Sequence, residues 1–73
     1  MEYLKSVIPV IESNYDNFTT VERSIADFFI YNREEMDFSA KAVAGKLFVS
    51  EASLSRFAKK CGFKGYRELI YQY

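Results

Sequence analysis

Three hydroxyl residues, each placed just before a segment with helical periodicity, constrain the fold of this chain most strongly. Thr19, Ser39 and Ser50 occupy these positions, where a Ser or Thr side chain accepts a hydrogen bond from the free amides of the first helical turn. Glu22 follows Thr19 by three residues and completes the spacing of a capping box. Because no segment shows sustained two-residue alternation, the 73 residues are predicted to form a single all-α domain of about five short helices.

The bounds of the predicted helices follow from these caps and from helix breakers. We predict helices over residues 20–32, 40–47 and 51–61, and a last helix from about residue 66. Gly62 supplies the left-handed residue that commonly ends a helix. The last helix has no stop signal before Tyr73, so we expect the chain to be a piece of a longer protein.

Helical spacing predicts one buried face in each of the three central helices. These faces consist of Val21, Ile25, Phe28 and Phe29 in the first, Val43, Ala44 and Leu47 in the second, and Leu54, Phe57, Ala58 and Cys61 in the third.

An apolar stripe near the N-terminus precedes these helices. It has helical spacing and consists of Leu4, Val7, Ile8 and Ile11. Pro9 lies within the stripe, so a helix either begins or kinks there. Ile30, with Tyr31, falls off the apolar face of its own helix, and a chain this small cannot easily cover both features. We therefore expect a homodimer that buries them; the alternative is that the first helix folds back over Ile30 within one chain.

The residue types that are missing exclude most catalytic and metal chemistry. The chain has no His and no Trp, and Cys61 is its only cysteine. A zinc site needs several Cys or His ligands, and a Ser or Cys nucleophile paired with His needs that base. The three glycines match no nucleotide-binding loop. We expect neither an enzyme nor a metal or cofactor site, and the short apolar runs predict no membrane span or export signal, hence a cytoplasmic protein.

The net charge of zero conceals an uneven distribution. Residues 1–37 carry three basic and eight acidic side chains, a net charge of −5, whereas residues 38–73 carry seven basic and two acidic ones, a net charge of +5. This separation indicates that one end of the domain meets a polyanion. On charge alone, an ordinary solvated surface is an equally good interpretation.

A helix-turn-helix unit consists of two short helices joined by a connection of about three residues, and its second helix is basic. The sequence has these components over about residues 40–59. The first helix has a small residue, Ala44, where the second must cross it. Apolar side chains that lock the two helices together stand at the required offsets, namely Val43, Leu47, Val49, Leu54 and Phe57.

The outward face of the second helix predicts contacts with DNA. Ala52, Arg56 and Lys59 lie opposite the buried face at 100° per residue, and small or cationic side chains suit a helix in the major groove. Arg56 can pair with guanine, Glu51 can accept from cytosine and Ala52 can touch a thymine methyl. The candidate base contacts are Ser50, Glu51, Ala52, Ser55, Arg56 and Lys59. The candidate phosphate contacts are Ser39, Lys41, Lys46, Ser53, Lys60 and Lys64.

Several candidates also have a purely structural interpretation. Ser50 can serve only as an N-cap, and Glu51 can serve only to favour the helix dipole. Lys41 and Lys46 can simply be solvated. Cys61 is interpreted as a small core residue.

Two segments resemble the RpiR-type bacterial transcriptional regulators. Residues 49–69, VSEASLSRFAKKCGFKGYREL, are similar to the family pattern V-S-E-A-T-[VL]-x-R-F-[AC]-[RK]-x-[LC]-G-[FY]-x-G-[FY]-x-E-[LF]. Residues 19–28, TTVERSIADF, resemble the upstream pattern T-x-x-E-[RK]-x-[IV]-A-x-[YF]. The resemblance covers about residues 18–73.

The resemblance implies the N-terminal DNA-binding domain of a regulator of (phospho)sugar metabolism, which binds a double-stranded operator. The homodimer expected from the apolar stripe would suit a palindromic operator. It also implies a C-terminal sugar isomerase (SIS) domain that senses phosphosugars, which these 73 residues do not contain. The alternative from a different functional class is a helical protein-interaction module whose basic face binds an acidic protein.

One position departs from the resemblance. Phe48 stands where many members of the family have Gly. Because Phe does not readily adopt a positive φ, we expect either a different backbone path in the turn or a ring that fills a neighbouring gap.

Overall fold

The computed structural model describes residues 7–32 and 34–73. Within these residues the chain forms five α-helices and one 3₁₀ turn, at Tyr15–Asn17. The helices are α1 (Val7–Ser13), α2 (Thr20–Tyr31), α3 (Ala40–Leu47), α4 (Glu51–Lys60) and α5 (Tyr66–Gln72). The predicted all-α fold is confirmed, and none of the described helices is long and apolar enough to cross a bilayer.

The three predicted N-caps hold the starts of the central helices. Thr19 Oγ1 accepts from the amide of Glu22 at 3.2 Å, and the Glu22 carboxylate accepts in return from the amide of Thr19 at 2.8 Å. Ser39 and Ser50 each accept from the amide three residues later, at 3.2 and 3.0 Å. The capping box and both serine caps are therefore confirmed.

The core is built around α4. Helices α2, α3 and α5 all pack against it, and α1 packs against α2. The buried ring of Phe57 on α4 stacks on Phe29 of α2, with 6.2 Å between ring centroids and 15° between planes. Phe18 also contacts Phe57, with 4.9 Å between ring centroids. This aromatic cluster fixes the rotation of α4 about its own axis and thereby decides which of its side chains face outward.

The inner face of α2 differs from the prediction at one residue. Ile25 and Phe29 are buried and Phe28 is half-buried, but Val21 is 47% exposed, so its predicted burial is wrong. Glu22 lies on the inner face instead, because residues 22, 25, 26 and 29 follow the spacing of one helical stripe. In α3 and α4 the predicted faces are buried, except that Leu47 is half-buried.

The N-terminal stripe is covered within one chain. Val7 and Ile11 are fully buried where α1 packs on α2, while Ile8 and Ile30 are half-buried against the same core. The structure thus has the alternative arrangement for Val7 and Ile11, in which the first helix folds back within one chain. Tyr31 is 70% exposed, and the homodimer stays a prediction. Pro9 is the third residue of α1, and Leu4 lies outside the described residues.

The turn between α3 and α4 contains a strained residue. Phe48 has φ 59° and ψ 41°, and the amides of Phe48 and Val49 donate to the carbonyls of Gly45 and Ala44 at 3.4 and 3.0 Å. This pair of bonds is a Schellman motif, which requires a left-handed residue where Phe48 stands. Both expectations for this residue are wrong: the backbone takes the usual glycine path, and the ring is 94% exposed and fills no gap.

The end of α4 has the same turn with a glycine in it. Gly62, at φ 98°, donates to the carbonyl of Lys59, and Phe63 donates to that of Ala58, both at 3.0 Å. Gly62 is therefore the predicted left-handed cap. A side-chain-bearing residue in this conformation costs roughly 1–2 kcal/mol relative to Gly, so Phe48 carries a strain that Gly62 does not.

Candidate nucleic-acid interface

The side of α4 that faces away from the core carries small and charged side chains. Because Leu54, Phe57 and Ala58 are fully buried, the residues on the opposite side project outward. Glu51, Ala52, Arg56 and Lys59 are exposed, and Ser55 is half-buried beside them. We call these five residues the α4 outer surface.

A chain of hydroxyl groups restrains Arg56. The Ser50 and Ser53 hydroxyls lie 2.9 Å apart, and the Arg56 Nη2 donates to Ser53 Oγ at 3.2 Å. This bond uses one of the five N–H donors of the guanidinium. Arg56 is therefore oriented along the first turn of α4 with most of its donors still available, and Ser53 lies beneath it as a half-buried support.

Lys60 is exposed but bonds to other residues of the domain. Its Nζ donates to Glu22 Oε1 at 2.8 Å and to the carbonyl of Asn17 at 3.2 Å. These bonds tie the last turn of α4 to the start of α2. The structure therefore does not bring Lys60 to the α4 outer surface, although the sequence predicts a phosphate contact for it.

The pKa of the Glu22 carboxyl reflects this arrangement. Its burial alone would raise the pKa, but the hydrogen bonds from Lys60 and from the backbone and hydroxyl of Thr19, together with the positive charge of Lys60, outweigh burial and lower it. Glu22 is thus held as a carboxylate at neutral pH, and an amino-terminal helix dipole favours the same charge.

The other candidate phosphate contacts lie in the segments before and after α4. Lys41 and Lys46 are exposed on α3, and Lys64 is exposed in the connection to α5. The Lys64 amide donates to the Glu68 carboxylate at 2.6 Å. Ser39 is exposed at the start of α3, where its hydroxyl is the cap.

Cys61 is a core residue, as predicted. It is 7% exposed, and burial raises the pKa of its thiol to about 11. The group therefore stays a neutral thiol at physiological pH, in which form it is a poor nucleophile and a poor metal ligand.

Two features of this surface were missed from the sequence. A shallow groove runs between the start of α2 and α4 and is lined by Thr19, Val21, Glu22, Ser53 and Arg56. The second feature is the exposed ring of Phe48, next to the first turn of α4. The only sign of it in the sequence was that Phe48 stands where many members of the family have Gly.

Comparisons with known proteins match the chain to a family of helix-turn-helix domains. The family model described as the helix-turn-helix domain of the rpiR family matches residues 5–72. The HTH-type transcriptional regulator HexR of Pseudomonas aeruginosa is 33% identical over 70 residues, which cover 94% of this chain and 25% of HexR. The chain thus spans about a quarter of the length of that relative.

Proposed function

The chain belongs to the rpiR family of helix-turn-helix domains, and on that premise we propose that it is the sequence-specific DNA-binding domain of a transcriptional regulator, with α4 in the major groove. The observation that carries the proposal is the contrast between the two sides of α4. Its inner face is fully buried, while its outer surface presents only small, polar or charged side chains. A helix of this kind can approach base edges closely, since no bulky apolar side chain stands in the way.

The side chains of the α4 outer surface have complementary roles in the proposal. Arg56 pairs with the O6 and N7 atoms of a guanine, for which its restrained, forked guanidinium is suited. Glu51 accepts from a cytosine amino group, and Ala52 contacts a thymine methyl. Ser50, Ser55 and Lys59 complete the set of proposed base contacts.

The backbone contacts are proposed for the exposed cations around α4. Lys41, Lys46 and Lys64 lie on the neighbouring segments, and Ser39 opens α3. We assign Ser53 to positioning Arg56, in keeping with their hydrogen bond. Lys60 is assigned to holding α4 against α2, because its ammonium is already bonded to Glu22 and Asn17.

The remaining parts of the proposal concern the protein to which this domain belongs. We propose a cytoplasmic regulator of (phospho)sugar metabolism in which this helix-turn-helix domain is followed by an SIS domain that binds the phosphosugar effector. HexR is about four times as long as its matched segment, which leaves room for such a domain. We also propose a homodimer on a palindromic operator, since two-fold symmetric regulators bind symmetric half-sites.

Selection of duplexes from a random DNA library by the full-length protein tests the proposal. We expect enrichment of a common sequence motif with two related half-sites. Binding of a selected duplex and a scrambled duplex of equal length is then compared. Equal affinity for the two would contradict sequence-specific binding, and tight binding to an acidic protein in place of DNA would support the protein-interaction alternative.

The oligomeric state is tested separately. Sedimentation of the full-length protein at micromolar concentration is expected to show a dimer, and a monomer bound to a single half-site would contradict this part of the proposal.

A further inference from the structure

Phe48 combines exposure with backbone strain. A single exposed apolar side chain is ordinary on a protein surface. Phe48 differs because it also occupies the left-handed conformation at φ 59°, which Gly adopts without cost. Its ring is 94% exposed, so within the described residues the ring gains almost no packing in return for the strained backbone.

The position of Phe48 relates it to the proposed DNA interface. It lies two residues after Lys46 and two residues before Ser50, the cap of α4. Two successive trans peptide bonds span at most about 7.6 Å between Cα atoms, so Phe48 is close to both. Lys46, Ser50 and Glu51 are themselves exposed. Phe48 therefore belongs to the turn that borders the surface proposed to meet the major groove.

The surroundings of the ring favour DNA over a protein partner. An aromatic side chain buries about 150–250 Å², whereas a stable protein interface needs about 800 Å² from each partner. The other large exposed apolar side chains, Val21, Tyr31 and Tyr71, belong to α2 and α5 and not to this turn. The exposed residues that flank Phe48 along the chain are Gly45, Lys46, Ser50 and Glu51, so the turn offers no second exposed apolar side chain to a protein partner.

We propose that Phe48 is a specificity-determining DNA contact whose ring packs on the 5-methyl group of a thymine at the border of the site contacted by the first turn of α4. The inference rests on the proposed function. The thymine methyl is the apolar group that the major groove presents, and it is the natural partner for an apolar side chain there. The two Schellman hydrogen bonds hold the backbone of Phe48, so little backbone freedom is lost when the ring meets DNA.

The comparison with Gly62 separates the ring from the backbone. Gly62 makes the same pair of turn hydrogen bonds with no side chain. A Phe48→Gly variant is therefore expected to keep the turn and the position of α4 while losing only the ring. Any change in DNA recognition by this variant is then a property of the ring.

The test replaces each thymine of a selected operator in turn by deoxyuridine, which lacks only the 5-methyl group. Binding of the full-length protein is measured by fluorescence anisotropy. For the wild type we expect a loss of about three- to tenfold in affinity at one thymine per half-site besides the thymine assigned to Ala52. Phe48→Gly is expected to bind the unmodified operator more weakly by a similar factor and to be insensitive to deoxyuridine at that position. Phe48→Leu retains an apolar group and should retain part of the sensitivity.

Matched controls make each outcome decisive. Tyr71→Ala removes another exposed aromatic ring, 87% exposed on α5, and should leave the deoxyuridine pattern unchanged.

The proposal is overturned if Phe48→Gly binds the operator as tightly as the wild type, or if it keeps the wild-type sensitivity. A variant that binds DNA normally but associates less with itself would assign the ring to a second copy of the chain, which also overturns it. If the wild type does not prefer its selected duplex at all, the proposed function itself fails, and that result is seen before any variant is measured.

Discussion

Arg56 shows how a single side chain can be exposed and still be ordered. Its guanidinium would lose considerable rotamer freedom on binding DNA. The bond to Ser53, which is itself bonded to the N-cap Ser50, removes part of that freedom before DNA is present. Arg56 is therefore better prepared for a base contact than a freely solvated arginine on the same helix.

Replacing Arg56 by Ala tests this role. We expect operator binding to weaken by roughly 1–3 kcal/mol and the preference at one base pair to be relaxed. Stability should change little, since Arg56 is exposed opposite Leu54 and Phe57. Arg67→Ala, which removes an exposed arginine on α5, is the control. Unchanged affinity and unchanged base preference in Arg56→Ala would exclude Arg56 as a base contact.

The left-handed turn residues make a paired prediction about stability. Phe48→Gly should raise the free energy of unfolding by about 1 kcal/mol, because strain at φ 59° is relieved. Gly62→Ala should lower it by a comparable amount, because a Cβ is introduced at φ 98° although open space surrounds it. Thermal unfolding checks both, since 1 kcal/mol corresponds to roughly 4–8 °C in a domain of this size. A less stable Phe48→Gly would mean that the ring packs on the domain.

At the scale of elements, the contact between α2 and α4 sets the direction of the DNA-facing helix. Glu22 serves both sides of this contact, because its carboxylate caps the start of α2 and accepts from Lys60 at the end of α4. The Glu22 side chain is 12% exposed and that of Lys60 is 37% exposed. The ion pair is thus partly shielded from water, and loss of either partner would leave the other without its main contact.

This contact predicts a dependence of stability on pH. The folded-state pKa of Glu22 lies below its ordinary value of 4.5. Its contribution to stability is therefore present above about pH 4.5 and is lost as the pH falls through the lower folded-state pKa. Glu22→Gln keeps a side chain that can still cap α2 but should remove this part of the acid sensitivity. Chemical unfolding between pH 3 and 7 is the measurement.

Glu12→Gln, which removes an exposed carboxylate from α1, is the control for this experiment. If Glu22→Gln shows the same loss of stability in acid as the wild type, the ion pair does not stabilise the contact between α2 and α4.

How far the sequence predicts these elements depends on the range of the interactions. Caps are local, so Thr19, Ser39, Ser50 and Gly62 can be assigned from residues within one turn, and α3 is predicted with its observed bounds. The partnership of Glu22 and Lys60 spans 38 residues and depends on how α2 packs on α4. For that reason the sequence misassigned Val21 to the core and did not predict the ion pair between Glu22 and Lys60.

Phe48 illustrates a different limit. Residue preference predicts that Phe avoids the left-handed region, but the bonds to Ala44 and Gly45 and the packing of Val49 require that conformation. The tertiary arrangement therefore overrides the local preference. The exposed ring can be recognised only once the turn is known.

At the scale of the whole molecule, the charge is divided between the two halves of the chain. The acidic half contains α1 and α2, and the basic half contains α3, α4 and α5. The proposed DNA contacts all lie in the basic half. The uneven charge should orient the domain towards a duplex during approach and disfavour binding through α1 and α2.

The salt dependence of DNA binding tests the central claim most directly. If three or four cations per chain meet phosphates, log K should fall against log salt with a slope of about −3 per chain, and about twice that for a dimer. Lys46→Ala, which removes a proposed phosphate contact, should make the slope shallower by about one and weaken all sequences alike, unlike Arg56→Ala. We therefore expect steep salt dependence and a clear preference for the selected operator when fluorescence anisotropy is measured over a salt series with selected and scrambled duplexes. A flat response, or equal affinity of the full-length protein for both duplexes, would contradict a DNA-binding domain that recognises sequence.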